Sequence, residues 1–216
     1  MIMSIIYPLL CVIIPCLIYQ IIAVKSEDLK EKTYLKQHLI WVYIFLIYIY
    51  LALSVAGIGS VWDIGQYGEI IRMEEVNLIP FNSEGIRTYI LNIIMFMPLG
   101  FLLPLIWEKF RNTVKVFYTG LGFSLAIEIC QLFNHRATDI DDLMMNSLGA
   151  VLGYFIWVCV SNLFNSISEK YAFISKNETT INTNKMTVSI SKDEAIIYLT
   201  LAVLGEFFLY NWMLVS

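Results

Sequence analysis

Residues 120–153 read GLGFSLAIEICQLFNHRATDIDDLMMNSLGAVLG, and this stretch decides the fold. Both halves are apolar enough to lie in a lipid bilayer, yet polar and charged residues are set among the apolar ones. An ionisable group inside a membrane span is energetically costly, and by default it marks a functional site. The stretch therefore predicts two membrane helices that carry a polar site near their connection.

The polar residues of this stretch follow two helical stripes. Glu128 and Gln131 are three positions apart and His135 follows seven positions after Glu128, so one helix face carries all three. A second stripe in the following helix has spacings of three, four, three and four, and consists of Asp139, Asp142, Asn146, Gly149 and Gly153. Because a short connection joins the two helices, we expect the stripes to face each other near one membrane surface.

The composition of the whole chain is that of a membrane protein. Of its 216 residues, 58% are hydrophobic and 15% are charged, whereas a soluble domain is about half apolar and about a quarter charged. The net charge of −4 is small and no basic patch is present, which argues against a nucleic-acid partner. The four cysteines lie in apolar runs without CxxC spacing, which argues against disulfides and a zinc site.

Six apolar stretches are long enough to cross a bilayer, which takes about 20 residues. They are residues 2–24, 39–60, 88–107, 114–133, 143–164 and 195–215. The predicted fold class is all-α, a polytopic transmembrane helical bundle of about six spans. The chain divides into two N-terminal helices with their connection (1–60), a second connection (61–87), a core of three helices (88–164), a polar linker (165–194) and a C-terminal helix (195–216).

The distribution of basic residues predicts the orientation. The first, third and fifth connections carry 11 of the 14 Lys and Arg residues, and the second and fourth carry only Arg72, Arg87 and Arg136. Because basic connections stay in the cytoplasm, the odd connections, including the linker, are predicted to be cytoplasmic and both termini extracytoplasmic. The polar stripes and the second connection then face the outside of the cell membrane.

Two further polar segments belong to the same side. The second connection ends in the sequence NLIPF at residues 77–81, which is apolar but broken by a proline. It either lies on the surface as a tether or tucks back toward the bundle. Asn92 lies near the outer end of the third span, where it either bonds a neighbouring helix, a contact worth about 0.6–2 kcal/mol, or belongs to the polar site.

Three interpretations of the polar set remain open. In the first, it is an outward binding pocket, because carboxylates accept hydrogen bonds and arginine donates a planar fork, as a lipid headgroup or envelope intermediate requires. In the second, Glu128 and Asp142 are catalytic as general acid or base; the metal-binding motifs are absent, so no metal is predicted. In the third, the polar groups satisfy one another between helices, with Arg136 paired to Asp139 or Asp142. Asp141 alone is predicted to be a solvated loop carboxylate.

Several of these pieces occur together in a fixed order. NLIPF at 77–81 is followed by NIIMFMPLGFLLP at 92–104, then by Ser124, Glu128 and Gln131 as SxxxExxQ, and then by RxxDxDDxxxNxxGxxxG at 136–153. Over residues 76–164, this order resembles the VanZ-like family of bacterial membrane proteins.

The resemblance implies a multi-span helical membrane protein linked to low-level resistance to teicoplanin and related lipoglycopeptides. The polar signature of the family corresponds by position to Asn92, Glu128, Gln131, Arg136, Asp139, Asp142 and Asn146. We take these as ligand-binding residues, with Glu128 and Asp142 as central acceptors and Arg136 holding an anionic group or orienting Asp139. The expected partners are membrane lipid and a lipid-linked envelope component or lipoglycopeptide. The alternative function is an enzyme acting on a lipid-linked or cell-wall substrate, and the resemblance supplies no established cofactor.

Overall fold

The structure is a computed structural model that describes residues 3–26, 32–66, 76–82, 85–134, 136–174 and 190–214. Over these residues the chain is an all-helical bundle, which confirms the predicted fold class. The α-helices are α1 (Met3–Ser26), α2 (Lys32–Ala56), α3 (Ile86–Ile106), α4 (Thr113–Gln131), α5 (Ile140–Ile174) and α6 (Glu194–Leu209).

Five helical segments of the described chain are long and apolar enough to cross a membrane. They are Ser4–Lys25, Leu35–Asp63, Ile86–Ile106, Thr113–Gln131 and Ile140–Phe164. The helix α6 is shorter than the predicted span 195–215, because it has 16 residues and is about 24 Å long against about 30 Å of bilayer core. It ends at Leu209, where the chain becomes extended and then forms a 3-10 turn at Trp212–Leu214.

The helices α3 and α5 form the most extensive contact of the bundle. A Cβ atom at Gly100 would lie 1.8 Å from the carbonyl oxygen of Ala150, and one at Gly153 would lie 1.9 Å from that of Met97. A Cβ atom at Gly149 would lie 2.3 Å from the carbonyl oxygen of Ile93 in α3. The GxxxG spacing thus marks a true close approach of two helix backbones, the kind that small residues permit in membranes.

The first and last helices form a second pair beside this core. A Cβ atom at Gly205 of α6 would lie 2.2 Å from the carbonyl oxygen of Cys11 in α1. At the end of the pair, the hydroxyl of Tyr7 donates to the carbonyl of Leu209 over 2.7 Å. The short helix α6 is therefore held along its length by α1.

One end of the bundle, which we call the site end, is where α2 and α4 finish and α3 and α5 begin. Here the second connection returns to the bundle as β1 (Val76–Asn77) and pairs in parallel with β2 (Thr138–Asp139). Asn77 is in register with Asp139. Of the two placements left open for the NLIPF segment, the structure shows the one toward the bundle. Asp139, which was predicted inside the second helical stripe, lies in this strand because its backbone pairs with the returning connection.

At the opposite end of the bundle, which we call the basic end, α1 and α3 finish and α2, α4 and α6 begin. A buried carboxylate joins helices at this end. Glu194, the first residue of α6, is fully buried. It accepts hydrogen bonds from Trp107 Nε1 over 2.9 Å and from the backbone N–H of Ile190 over 3.1 Å. His38 Nε2 of α2 lies 3.0 Å from both carboxylate oxygens. Glu194 thus joins α2, the end of α3 and the start of α6.

The predicted linker 165–194 is shorter than expected at both ends. Helix α5 continues to Ile174, well beyond the predicted end at residue 164, because propagating an existing helix adds a hydrogen bond for each residue ordered. At the other end, Ile190 is buried beside Glu194. Residues 175–189 lie outside the described part of the chain.

Candidate functional site

The site end of the bundle encloses a polar cavity of about 180 Å³. Helices α2, α3, α4 and α5 all contribute to its wall. Six of the seven predicted ligand-binding residues line it: Asn92, Glu128, Gln131, Arg136, Asp142 and Asn146. The seventh, Asp139, is buried directly behind the wall. The two polar stripes therefore face each other, as their spacing predicted.

The carboxylate of Glu128 lies between the two stripes. It is only 5% exposed, and its Oε2 accepts a hydrogen bond of 3.1 Å from the backbone N–H of Asp139. The side chain of Asp139 in turn accepts from Asn77 Nδ2 at 3.2 Å and from the backbone N–H of Asp141 at 2.9 Å. The end of α4, the start of α5 and the returning connection are thereby joined through carboxylates.

Asp141 is buried and not solvated, so its interpretation as a loop carboxylate is wrong. It is fully buried and accepts hydrogen bonds from the backbone N–H of Phe81 at 2.8 Å and from the hydroxyl of Tyr89 at 2.8 Å. Phe81 has a φ of +61°, a conformation that a bulky residue adopts at an energetic cost. The NLIPF segment folds over the start of α5 and supplies the partner that Asp141 needs in order to be buried.

Asp142 is held from the side of α3. The amide nitrogen of Asn92 donates to Asp142 Oδ1. Of the two roles left open for Asn92, the structure thus shows a hydrogen bond between helices made inside the cavity wall. The same contact orients Asp142, one of the two predicted central acceptors.

Two amide side chains complete the inner wall. Gln131 Nε2 donates to the carbonyl of Ala56 at the end of α2 over 2.9 Å. Asn146 Nδ2 donates to Ser124 Oγ over 2.9 Å. Both amides are almost completely buried. Ser124, the first residue of the SxxxExxQ pattern, therefore accepts a hydrogen bond from the second stripe.

Arg136 does not form the ion pair of the third interpretation. Among the residues that the structure describes, neither Asp139 nor Asp142 pairs with it. Its guanidinium lies over Gly57, where an added Cβ would be 2.8 Å from Arg136 Nε. Gly57 has a φ of +63°, which suits glycine. The acidic side chains are already held by amide and backbone donors, so the arginine is left at the mouth of the cavity.

The structure does not place His135, which lies outside the described residues. Within the part of the chain that is described, no three His, Cys, Asp or Glu side chains form a group that could hold a metal ion. The chemistry that the described site offers is hydrogen bonding and charge. Its carboxylates and amide oxygens accept, and its one arginine donates.

A known protein family matches this chain over the segment that builds the cavity. A family model described as VanZ/LLP1 matches residues 41–165, which is more than half of the chain. The chain belongs to this family. Within it, the chain is 39% identical over 80 residues to Protein VanZ of Enterococcus faecium, a match that covers 36% of this chain and 49% of that protein. The match thus spans about half the length of that relative. No solved structure matches the chain.

The VanZ/LLP1 segment contains site residues that sequence reasoning missed. Val55 and Ala56 of α2 form part of the cavity wall, although none of the predicted site residues lies in this helix. Tyr89 holds Asp141 from α3. Tyr89 lies three positions before Asn92 on the same helix face, and this spacing was the available signal. No pattern in the sequence pointed to α2.

We expect Asp141→Ala to loosen the NLIPF segment of this VanZ/LLP1 protein. The backbone N–H of Phe81 and the hydroxyl of Tyr89 lose their acceptor, and we expect a cost of about 1–3 kcal/mol. Thermal melting of the purified protein and limited proteolysis within residues 76–82 measure the effect. Tyr89→Phe removes one of the two donors and should cost less. Equal melting and equal cleavage of Asp141→Ala and wild type would contradict the contact.

Proposed function

We propose that this VanZ/LLP1 protein acts in the bacterial cell envelope and lowers susceptibility to glycopeptides of the teicoplanin type. It does so by binding a component of the membrane surface in the polar cavity at the site end. The observation that carries the proposal is the cavity itself. Its lining residues lie between positions 55 and 146, inside the family segment 41–165.

The proposed orientation brings this cavity to the membrane surface where the antibiotic acts. The helix ends that flank the three connections richest in Lys and Arg lie at the basic end, and basic connections stay in the cytoplasm. The site end then opens outward. A lipidated glycopeptide would anchor in the outer leaflet beside it.

The architecture of the cavity favours a receptor for a polar ligand. Glu128 and Asp142 are each oriented by a hydrogen bond from another element, so their carboxylates are positioned before a ligand arrives. A preorganised site loses less entropy on binding. Glu128 is buried, and burying a carboxylate is costly unless a partner compensates its charge; a bound polar ligand would supply that partner.

The test is teicoplanin susceptibility in a sensitive Gram-positive host. We expect the wild type to raise the minimum inhibitory concentration above that of an empty vector. Glu128→Gln should return it close to the vector value. The glutamine keeps the shape and the bond from Asp139 N–H but removes the charge, and a hydrogen bond to a charged group contributes about 1.5–3 kcal/mol, or roughly tenfold or more in affinity.

The matched control is Glu206→Gln. Glu206 in α6 is buried to the same extent as Glu128 but does not line the cavity. The Glu206→Gln variant should protect as well as the wild type. Immunoblots of membranes should show equal amounts of the wild type, Glu128→Gln and Glu206→Gln. Full protection by Glu128→Gln would contradict a site role. Loss of protein in this variant alone would indicate that Glu128 only stabilises the fold.

A further inference from the structure

The inner cavity carries an acceptor that lacks a donor, on Gln131. Its Nε2 donates to the carbonyl of Ala56, and because a carbonyl can only accept, the side chain must present its nitrogen there. The other atom of the amide, the acceptor Oε1, is buried without a hydrogen-bond partner among the described residues. Gln131 is only 4% exposed and lines the cavity. Buried acceptors without a donor are rare and require an explanation.

Asn146 repeats this arrangement on the facing helix. Its Nδ2 donates to Ser124 Oγ, and its Oδ1 is buried with no donor in the described part of the chain. Asn146 is 3% exposed and lines the same cavity. Two amide oxygens, one from α4 and one from α5, are thus available to a ligand that donates hydrogen bonds.

The carboxylates decide between the donors that such a ligand could carry. Glu128 and Asp142 line the cavity beside the two amides, so carboxyl oxygens stand next to the amide oxygens. A hydroxyl donates one hydrogen bond and brings no charge, whereas a primary ammonium brings three N–H donors and a positive charge. An ammonium can therefore donate to both amide oxygens and to a carboxylate at the same time, and its charge is opposite to that of a carboxylate.

The mouth of the cavity presents hydrogen-bond donors, in contrast to the acceptors inside. Arg136 lines this cavity and also an outer one of about 340 Å³, whose wall includes Trp212. Trp212 Nε1 is a buried donor without a partner among the described residues. Asp63 also lines the outer cavity, but its Oδ2 already accepts two hydrogen bonds from Ser60. Two donors, one of them charged, thus line the outer cavity and suit an anionic group.

We propose that the site binds a primary ammonium group joined by a short linker to a phosphate, the chemistry of an aminoalkyl phosphate headgroup. The ammonium lies among the oxygens of Gln131, Asn146 and the carboxylates, and the phosphate lies at Arg136. This inference rests on the proposed function, because it names the ligand class of the same cavity.

The test measures lipid binding to the purified full-length protein in detergent by native mass spectrometry. The probes are phosphatidylethanolamine, which has a primary ammonium, phosphatidylcholine, whose nitrogen has no N–H, and phosphatidylglycerol, which has hydroxyls only. Phosphatidylethanolamine should bind at least about tenfold tighter than the other two, since they lack charged donors. Equal binding of the three lipids would overturn the proposal.

Two substitutions at Asn146 test the position of the ammonium. Asn146→Leu removes the acceptor and should abolish the preference for phosphatidylethanolamine over phosphatidylcholine. Asn146→Asp keeps an acceptor and can still bond Ser124, which then donates, so it should retain the preference. Arg136→Gln should weaken the binding of all three lipids by a similar factor, about tenfold, and leave the preference for phosphatidylethanolamine unchanged. A preference that survives Asn146→Leu would overturn the assignment.

The source of the headgroup is tested with soluble phosphoethanolamine as competitor. Displacement of the lipid assigns the site to the headgroup alone, and failure to displace it assigns the site to the headgroup with its acyl chains; both agree with the proposal. Failure of the proposed ligand class can be distinguished from failure of the proposed function. Teicoplanin protection without lipid preference overturns only the ligand class, whereas lipid preference without protection overturns only the resistance function.

Discussion

Replacing Glu194 with alanine is expected to lower the free energy of unfolding by about 3–5 kcal/mol. The carboxylate is fully buried and joins three helices at the basic end. Without it, Trp107 Nε1–H and the N–H of Ile190 lose their acceptor, and each unsatisfied buried donor costs about 1–3 kcal/mol. His38 also loses its partner. The contact between α6 and the ends of α2 and α3 then weakens.

Equilibrium unfolding in mixed detergent micelles, followed by tryptophan fluorescence, measures this loss. The matched control is the preceding residue, in the variant Asp193→Asn. Asp193 is exposed and pairs with Lys109, and the Lys109 ammonium holds the pKa of that carboxyl below its ordinary value. Exposed ion pairs contribute little to stability, so this variant should unfold like the wild type. Equal effects of the two substitutions would show that burial does not decide the role of Glu194.

Adding a single methyl group to the α3–α5 contact is the second change with a large expected effect. Gly100→Ala and Gly153→Ala each place a Cβ within 2 Å of a backbone oxygen of the facing helix. Because the obstacle is backbone and not the end of a flexible side chain, the helices must move apart. We expect each substitution to cost about 1–3 kcal/mol or more, and both also disturb the cavity between the same helices.

Gly122→Ala is the matched control for this pair. Gly122 also lies inside a membrane-spanning helix, α4, but a Cβ there would meet no atom within 4 Å. The same unfolding assay should show no loss of stability for it. If Gly153→Ala also unfolded like the wild type, the close approach of α3 and α5 would be disproved.

The apolar length of the helices could be predicted from sequence alone. A span must satisfy its own backbone hydrogen bonds in lipid, so a long apolar run dictates a helix whatever surrounds it. The same local rule explains the two polar stripes, since spacings of three and four place residues on one helix face. The short connection between the two helices is the reason why the stripes could be predicted to face each other. This local rule fails for the last predicted span. Helix α6 ends at Leu209, because the Tyr7 hydroxyl donates to the carbonyl of Leu209 and accepts from the N–H of Asn211.

The partners of the charged residues could not be predicted in this way. Asp141 was expected in solvent, and it is buried because the NLIPF segment returns over it from about 60 positions earlier in the chain. One open interpretation paired Arg136 with an aspartate, but Arg136 lies over Gly57, and those carboxylates already have other donors. Each of these outcomes depends on a segment distant in sequence.

Local sequence patterns were enough to establish a helical bundle of the VanZ/LLP1 family with polar residues gathered on two helix faces. Three features depended on the packing of the helices: α2 lines the cavity, Glu194 joins helices at the opposite end, and the side-chain oxygens of Gln131 and Asn146 have no donor among the described residues. The physical reason is that helix formation and amphipathic spacing depend on residues three or four positions apart. Hydrogen-bond partners, in contrast, depend on which backbones approach closely enough to compete for the same donor.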